Sequence, residues 1–379
     1  MKVLIYTEYF FPISGGVQTI VLDLARGLTK SSGVRFEVTI VTRTRERSPE
    51  EATWSFRVIR WPSLWGLIRL IRDSDIIHLA GPAFLPMLLA IIFRKRLIIE
   101  HHGFHPACPN GLLFLEPAQS PCPGHYMAGR YAECFRCNQV VVGSIKSASW
   151  LLTTPVRRYL SNRADVNVMP TKWLGDILRL KRSRTIYHGV ASCGESQAEI
   201  DGGKFAFQGR MVSTKGAELL IQAVELLRKE NRKVDVVMVG DGPELPALRA
   251  RAATLNGQMK FVGHVADVEL ESVLSNAAAV VMPSVGGEVF GLVAAENMMR
   301  GKPMIVSDIG ALQEVVGDTG LVFPAKDSQA LAQRMAEAMD QVEHMRRLGA
   351  AARKRAVQIF DRDNMIAAHV SMYREVVHS

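Results

Sequence analysis

The sequence lacks several features that would assign it to common classes of protein. Its longest apolar stretch, Gly81 to Phe93, ends at Arg94, Lys95 and Arg96, and it is too short to span a bilayer. The opening residues, MKVLIY, lead directly into a strand pattern without a small-residue cleavage site, so we expect no secretory signal. These absences predict a soluble protein of the cytoplasm.

Two recognition motifs are also missing. The first predicted strand is followed by the segment SGGVQ (residues 14–18) and not by G-x-G-x-x-G, which argues against an NAD-dependent oxidoreductase. No known nucleic-acid-binding motif is present, and the positive residues between Arg43 and Arg72 are interspersed and do not alternate with aromatic residues. We therefore predict that nucleic acid is not a partner.

Cysteine is scarce, with five residues in a chain of 379, and four of the five lie in one segment. Cys108, Cys122, Cys134 and Cys137 are spaced C-x13-C-x11-C-x2-C. A C-x2-C pair is a usual half of a zinc site, although the first pair is wider than in a zinc ribbon. Structural zinc and plain buried thiols both remain open, and disulfides are the third alternative, less expected in a cytoplasmic chain.

Charge is distributed unevenly between the two halves. Residues 1–185 contain 25 Lys and Arg against 13 Asp and Glu, a net charge of +12, whereas residues 186–379 contain 21 against 24, a net charge of −3. Such asymmetry suggests two separate tasks. The basic half could face an anionic acceptor or the cytoplasmic surface of a membrane, where the protein would associate peripherally.

Apolar runs alternate with helical patterns in both halves, which predicts an α/β protein with two doubly wound, Rossmann-like domains. We predict domains over 1–185 and 186–360, a polar, glycine-rich linker near 186–203, and a C-terminal helix over 361–379 that packs back on the first domain. A cysteine-containing insertion covers 103–138. The predicted strands are 2–6, 36–42, 56–60, 75–80, 96–100, 139–143, 204–209, 234–240, 259–263, 278–283, 302–307 and 320–324.

Glycine-rich segments follow the first strand of each half, at Gly15-Gly16 and at Gly209-Arg210, and recur after later strands. Ligands of doubly wound sheets bind outside the carboxyl ends of the strands. Because both halves carry such loops, we expect a ligand cleft that both domains face.

The segment GGEVFGLVAAEN places two carboxylates, Glu288 and Glu296, eight positions apart around a helix start. Amides and the helix dipole there would attract a phosphate, so the carboxylates would bind hydroxyls on either side of it. The alternative is that Glu296 simply pairs with Arg300 on a solvated helix face. Its position against the apolar stripe of the helix weakens that alternative.

Arg210 and Lys215 lie in a loop between a strand and a helix, where a phosphate would bind, although both could be solvated surface charges. Asp73 and Asp75 would be candidate ligands for a metal-bound diphosphate. They precede a strand, however, and so belong to the opposite edge of the sheet.

In order along the chain, these motifs resemble family 4 of the retaining, nucleotide-sugar-dependent glycosyltransferases, which have the two-domain GT-B fold. The resemblance covers almost the whole chain. It includes the Gly15-Gly16 loop and five later segments: HHGF (101–104), FQGRMVSTKG (207–216), VGDGPE (239–244), FVGHV (261–265) and the E-x7-E pair.

The resemblance implies a role for each matching residue. Glu288 would contact hydroxyls of the transferred sugar and Glu296 the nucleotide ribose. Arg210 and Lys215 would bind the donor diphosphate, together with amides of the remaining matching residues, Gly15, Gly16, Phe290, Gly291 and Leu292. His102 matches the histidine beside the transferred sugar better than His101 does, although a buried histidine bonded to backbone is the ordinary alternative.

The donor implied is a UDP-sugar or GDP-sugar, and the acceptor a glycan, lipid-linked or part of a surface polysaccharide. Two fixed cations would stabilise a diphosphate leaving group, so we predict that catalysis needs no metal or other cofactor. No pair of residues suggests a nucleophile with its base. A non-catalytic sugar-nucleotide-binding protein and a phosphorylase or epimerase of the same fold are the alternatives.

Overall fold

The computed structural model describes residues 1–194, 200–255 and 257–378. Within it the chain forms two compact units. The first comprises 1–117, 122–189 and 362–379, and the second comprises 118–121 and 190–361. Part of the predicted linker, residues 195–199, lies outside the described residues. The acceptor and donor roles that we assign to the two halves stay predictions.

The first unit is built on a parallel sheet. Among the described residues its strands follow the order β3-β2-β1-β4-β5-β8-β9. Two short strands, β6 (Phe114–Leu115) and β7 (Ser120–Pro121), lie between β5 and β8 in the chain. The sheet strands are β1 (Lys2–Thr7), β2 (Glu37–Thr42), β3 (Arg57–Arg60), β4 (Ile76–Ala80), β5 (Arg96–Glu100), β8 (Val166–Met169) and β9 (Ser183–Thr185).

Helices separate these strands because the intervening segments have apolar residues at helical spacing. Leu67 and Ile71, one turn apart, are both buried on the second of them. The helices of the first unit are α1 (Gly16–Lys30), α2 (Leu64–Asp73), α3 (Phe84–Ile92), α4 (Tyr131–Val142), α5 (Ser144–Ser161), α6 (Lys172–Leu178) and the C-terminal α14 (Arg362–His378).

Helix α14 packs on α1 within the first unit. Arg362 Nη1 lies 3.2 Å from Asp23 Oδ1. At Gly27 an added Cβ would come within 2.2 Å of Ile366 Cδ1, so the two helices approach closely where a glycine removes the side chain. The C-terminal segment is thereby part of the same hydrophobic unit as the N-terminal strands.

The second unit repeats the architecture. Its strand order among the described residues is β12-β11-β10-β13-β14-β15, with parallel pairing. The strands are β10 (Asp201–Gln208), β11 (Asp235–Val239), β12 (Met259–Gly263), β13 (Ala277–Met282), β14 (Met304–Ser307) and β15 (Gly320–Phe323). The helices are α7 (Ala217–Lys229), α8 (Leu245–Ala252), α9 (Asp267–Leu274), α10 (Leu292–Met299), α11 (Leu312–Val316), α12 (Ser328–Asp340) and α13 (Val342–Ile359).

One predicted strand is wrong. Residues 139–143 (QVVVG) do not join the sheet, because Gln139 to Val142 form the last turn of α4. Val140 and Val141 are exposed there. The position beside β5 is occupied instead by β8, the segment VNVM. A short apolar run has no periodicity that distinguishes a strand from a helix end, and the error followed from that ambiguity.

Strand order determines where each sheet has its crevice. In the second unit β10 lies between β11 and β13, so the connections after β10 and β13 leave on opposite sides. In the first unit β1 lies between β2 and β4 in the same way. Ligands of doubly wound sheets bind outside the carboxyl ends of the strands at such reversal points.

Candidate functional site

The second unit brings together two residues that the sequence analysis singled out. Lys215 follows β10 and Glu288 follows β13, and Lys215 Nζ lies 2.5 Å from Glu288 Oε1. Ser284 Oγ donates a second hydrogen bond to the same oxygen at 2.8 Å. Only 6% of Glu288 is exposed. The carboxylate is therefore held by a cation and a hydroxyl at the reversal point of the sheet.

Glycines make this close arrangement possible. Gly216 has φ +68°, and a Cβ there would come within 1.9 Å of the Pro283 carbonyl oxygen. Gly310 has φ +63°, and its Cβ would come within 2.2 Å of the Glu288 carbonyl oxygen. The loops after β10, β13 and β14 thus touch through backbone at positions where only glycine fits. Val285 N also donates to Thr214 O at 2.9 Å, which joins the first two loops directly.

The remaining predicted residues of this unit lie along the same two loops. Arg210 is exposed immediately after β10. Phe290 is buried and packs edge-on against Phe360. Gly291 has φ +96° and precedes α10, which begins at Leu292. The backbone from Phe290 to Leu292 is therefore anchored by a buried ring where the helix begins.

Glu296 lies one turn inside α10 and is half-buried. Arg300, the partner considered for it, has its Nε 3.6 Å from Glu271 Oε2. The guanidinium of Arg300 thus contacts Glu271 of α9. Leu292 is half-buried, and the buried stripe of α10 consists of Ala294, Ala295, Asn297, Met298 and Met299.

The first unit carries the other predicted residues. Gly15 precedes α1, Gly16 is its first residue, and no side chain caps the helix start. His102 follows β5, and its Nδ1 lies 3.3 Å from His188 Nε2. Burial lowers the pKa of His102, which favours the neutral imidazole.

His101 has a different environment from that of its neighbour. It is fully buried, and its Nε2 lies 2.8 Å from Asn167 Oδ1. Burial lowers the pKa of His101 to about 4. Its side chain is therefore committed to the sheet, and His102 is the histidine of this pair whose Nε2 lacks a hydrogen-bond partner among the described residues.

The four cysteines of the insertion lie in one neighbourhood of the first unit. Cys108, Cys134 and Cys137 are buried, and all four are free thiols. Burial, followed by the nearby Cys108, Cys122 and Cys137, raises the pKa of Cys134 to about 12. Asn110 bridges two of the thiols: its Oδ1 accepts from Cys108 Sγ at 3.0 Å and its Nδ2 lies 4.0 Å from Cys137 Sγ.

These residues fit the zinc prediction in chemistry, since four clustered thiols are a usual structural zinc set. In the described residues, however, no three of the four sulfurs lie within 4.8 Å of one another. Zinc binding would draw the thiolates together, and it stays a prediction. Two groups that meet that distance contain histidine and share Glu100: one with His78 and His369, the other with His102 and His188.

Sequence reasoning missed Ser284, Glu100 and His188. Ser284 has no motif of its own, because its partner becomes apparent only when β13 and the following loop are folded. Glu100 directly precedes the two histidines of EHHG, and that adjacency was the available signal. His188 lies 86 residues further along the chain from His102.

Comparison with solved structures places the fold in a class. The chain superposes on Anabaena Alr3699/HepE, solved in complex with UDP and glucose, with a TM-score of 0.73 over 99% of both chains at 18% identity. Two parallel α/β units with this likeness define the GT-B fold.

The sequence comparisons resolve the family. A model described as Glycosyltransferase Family 4 matches residues 14–192, and one described as Glycosyl transferases group 1 matches residues 195–355. The chain belongs to the group 1, family 4 glycosyltransferases, a nucleotide-sugar-dependent, retaining family.

Two curated relatives illustrate the range of similarity. A glycogen synthase of Mycobacterium tuberculosis (strain CDC 1551 / Oshkosh) is 33% identical over 171 residues, which are 44% of this chain and 41% of the relative. The chain thus spans less than half the length of that protein. A phosphatidyl-myo-inositol mannosyltransferase of Mycolicibacterium smegmatis is 25% identical over 347 residues, 88% of this chain and 83% of the relative.

Proposed function

We propose that this protein is a retaining glycosyltransferase that moves a sugar from a UDP-sugar or GDP-sugar to a glycan or lipid-linked acceptor. The observation that carries the proposal is the contact of Lys215 and Ser284 with the buried carboxylate of Glu288. It lies at the carboxyl ends of the two strands that flank the reversal point of the second sheet. A doubly wound sheet binds nucleotides at that place.

The chemistry of this arrangement suits a diphosphate leaving group. Cleavage of the glycosyl–phosphate bond develops negative charge on the diphosphate, and fixed cations and amides stabilise that charge. Arg210 and Lys215 supply the cations, and the backbone from Phe290 to Leu292 supplies amides at the start of α10. Because the chain's own cations meet this need, we propose that catalysis is metal-independent.

The two carboxylates, Glu288 and Glu296, accept hydrogen bonds from hydroxyls of the donor. Glu288 uses Oε1 for Lys215 and Ser284, and neither contact occupies Oε2, which can accept hydrogen bonds from the transferred sugar. Glu296, one turn inside α10, binds the ribose. For His102 and the Gly15-Gly16 amides of the first unit, we keep the roles that the family resemblance implies.

The donor nucleotide is best sought first among uridine nucleotides. The HepE structure contains UDP and glucose, and it shares the GT-B fold with this chain. Its identity of 18% supports only the choice of a first ligand, and guanosine nucleotides belong in the same panel.

The acceptor is proposed to be a glycan, lipid-linked or at a membrane surface. The first unit exposes apolar side chains on α4 and α5: Val140 is 70% exposed, Ile145 90% and Leu152 73%. Lys146 and Arg157 lie on the same pair of helices. Exposed apolar side chains together with basic residues on one helix pair favour an anionic lipid surface. Among the described residues, every helix is too short or too polar to cross a bilayer.

Two measurements test the proposal. Thermal shifts with UDP, GDP, ADP and their sugars identify the donor, because stabilisation follows affinity. With that donor, release of the nucleoside diphosphate should depend on the acceptor, supplied as a panel of glycans and phosphatidylinositol vesicles, and the product should keep the anomeric configuration of the donor. Binding without turnover would indicate a non-catalytic protein. Turnover without an acceptor would indicate an epimerase, and turnover that needs inorganic phosphate a phosphorylase.

The lipid-surface proposal has its own test. Ile145→Asp and Leu152→Asp should reduce co-sedimentation with vesicles of phosphatidylglycerol and phosphatidylcholine. Val357→Asp, an exposed apolar position of the second unit, is the matched control. Unchanged sedimentation of the first two variants would exclude α5 as the membrane contact.

A further inference from the structure

A buried cluster of titratable side chains in the first unit takes no part in the donor chemistry described above. Its centre is Glu100, the last residue of β5, which is 0% exposed. His78 comes from β4, His188 from the segment after β9, and His369 from α14. A buried carboxylate is costly unless hydrogen-bond donors surround it, so this cluster needs a physical reason.

Distances define two arms that meet at Glu100. His78 Nε2 lies 3.1 Å from Oε2, and His369 Nε2 lies 3.7 Å from the same oxygen. On the other side His188 Nδ1 lies 3.4 Å from Oε1. His188 Nε2 then lies 3.3 Å from His102 Nδ1, with the two ring planes 22° apart. One arm therefore reaches the histidine that we place beside the transferred sugar.

The first arm holds the carboxylate in its ionised form. Tyr373 Oη lies 2.7 Å from His78 Nδ1. Burial raises the pKa of Tyr373 well above its usual range, so the phenol keeps its proton and donates it. His78 Nε2–H then donates to Glu100. Burial would raise the pKa of Glu100, but the neighbouring His369 and the hydrogen bond from His78 outweigh it and hold that pKa well below its usual range.

His369 contributes to this arm in a similar way. Its Nδ1 lies 2.9 Å from the carbonyl oxygen of Met365, which can only accept, so Nδ1 carries a proton. Its Nε2 lies 3.7 Å from Glu100 Oε2, which is too far for a hydrogen bond, and that nitrogen has no hydrogen-bond partner among the described residues.

In the second arm, the 3.4 Å approach of His188 Nδ1 to the Glu100 carboxylate and the hydrogen bond between His188 and His102 indicate which ring nitrogens carry protons. An ionised carboxylate only accepts, so the nitrogen of His188 that faces it, Nδ1, carries the proton. Burial lowers the pKa of His188 to about 3, which keeps the ring neutral and leaves its Nε2 as an acceptor. His102 Nδ1 must then be the donor. The lone pair of His102 is consequently on Nε2.

We propose that Glu100 and His188 are positioning residues that hold His102 in the tautomer with its proton on Nδ1, so that Nε2 accepts a hydrogen bond from a hydroxyl of the transferred sugar. This proposal rests on the proposed function for the role of His102. The Nε2 atom is buried and has no hydrogen-bond partner among the described residues, as a position reserved for a ligand hydroxyl would be. The opposite tautomer would present a donor there instead.

The tautomer can be observed directly. In protein labelled with 15N-histidine, long-range proton–nitrogen spectra identify which ring nitrogen carries the proton, and His102→Gln assigns the signal. We expect the wild-type protein to have His102 protonated on Nδ1. In Glu100→Gln the amide NH2 can donate to His188 Nδ1, which reverses the chain of hydrogen bonds and moves the His102 proton to Nε2.

The kinetic consequence separates positioning from simple folding. We expect Glu100→Gln to lower kcat by about 10- to 100-fold with a much smaller change in KM, because the lost hydrogen bond matters most in the transition state. Tyr373→Phe is the matched control. It removes a hydrogen bond in the first arm, and it should leave the His102 tautomer unchanged.

Two results would overturn the proposal: a wild-type His102 protonated on Nε2, or an unchanged tautomer in Glu100→Gln. Should that variant fail to fold, His188→Phe removes only the acceptor of His102 Nδ1–H, and the tautomer preference should then be lost. The tautomer is read without turnover. Failure of the proposed transferase activity would therefore leave this readout intact, and the two failures are distinguishable.

Discussion

Replacing Lys215 by methionine should have two effects that can be measured separately. Methionine keeps the volume of the side chain but removes the ammonium that lies 2.5 Å from Glu288 Oε1. The carboxylate, 6% exposed, is then left with Ser284 as its donor. We therefore expect the second unit to be less stable and its affinity for nucleoside diphosphates to be lower.

The size of the stability effect follows from burial. Removing one partner of a fully buried ion pair costs about 3–5 kcal/mol, and an exposed pair is worth less than about 1 kcal/mol. Since the side chain of Lys215 is 31% exposed and that of Glu288 is 7% exposed, an intermediate cost of about 2 kcal/mol is expected. For a unit of this size, that corresponds to a decrease in Tm of about 4–8 °C.

A double-mutant cycle isolates the pair. Glu288→Gln leaves a partly solvated ammonium and should cost less than Lys215→Met. The double variant leaves no buried charge unpaired, so its loss should be smaller than the sum of the single losses by about 1–2 kcal/mol. Thermal or urea unfolding without ligand measures all four proteins. Additive losses would refute the argument that the pair stabilises the empty site.

The same variant tests phosphate binding. Lys215→Met should lower the affinity for a nucleoside diphosphate by about 10- to 150-fold, which is the value of one charge-assisted hydrogen bond. The affinity for the nucleoside should hardly change. Isothermal titration with UDP and uridine makes the comparison, or with the corresponding guanosine pair if that is the donor base. Equal weakening of both ligands would assign Lys215 a purely structural role.

Three further outcomes are expected. Glu288→Gln should abolish sugar transfer while nucleoside diphosphate affinity changes little, as measured by transfer assay and titration calorimetry, and retained turnover would contradict the role of Glu288 in sugar recognition. Purified protein should contain about one zinc per chain by elemental analysis, and Cys134→Ser with Cys137→Ser should lose it; a metal-free wild type would indicate plain buried thiols. The free energy of unfolding should fall as the pH is lowered from about 6.5 to about 4. The reason is that His101, with its folded pKa of about 4, stays neutral while the unfolded chain takes up a proton. His101→Gln should reduce the slope of unfolding free energy against pH by about one proton, and an unchanged slope would show that other groups take up that proton.

Much of the fold was predictable from local pattern. The near-continuous apolar runs that became β1, β4 and β5 are buried on both faces, and that pattern is typical of a parallel sheet covered by helices. The run QVVVG is equally apolar but lies at the end of a helix, where Val140 and Val141 are exposed. The composition of a segment shows that it is apolar, but it does not show which other element packs against it.

For the candidate site too, the sequence identified single residues and the tertiary structure decided which of them meet. Motif order and spacing in the sequence identified Glu288, Lys215 and His102 as candidate residues, since each belongs to a short segment whose chemistry is local. Tertiary structure decided that Lys215 Nζ contacts Oε1 of Glu288, a residue 73 positions further along the chain. It also decided that Ser284 donates a hydrogen bond to the same oxygen. It also decided that Glu100 lies between His78, which is hydrogen-bonded to it, and His188, whose Nδ1 lies 3.4 Å from Oε1. The physical reason is that hydrogen bonds and ion pairs depend on distances of a few ångströms, which parallel strands and crossover helices set between residues far apart in the chain.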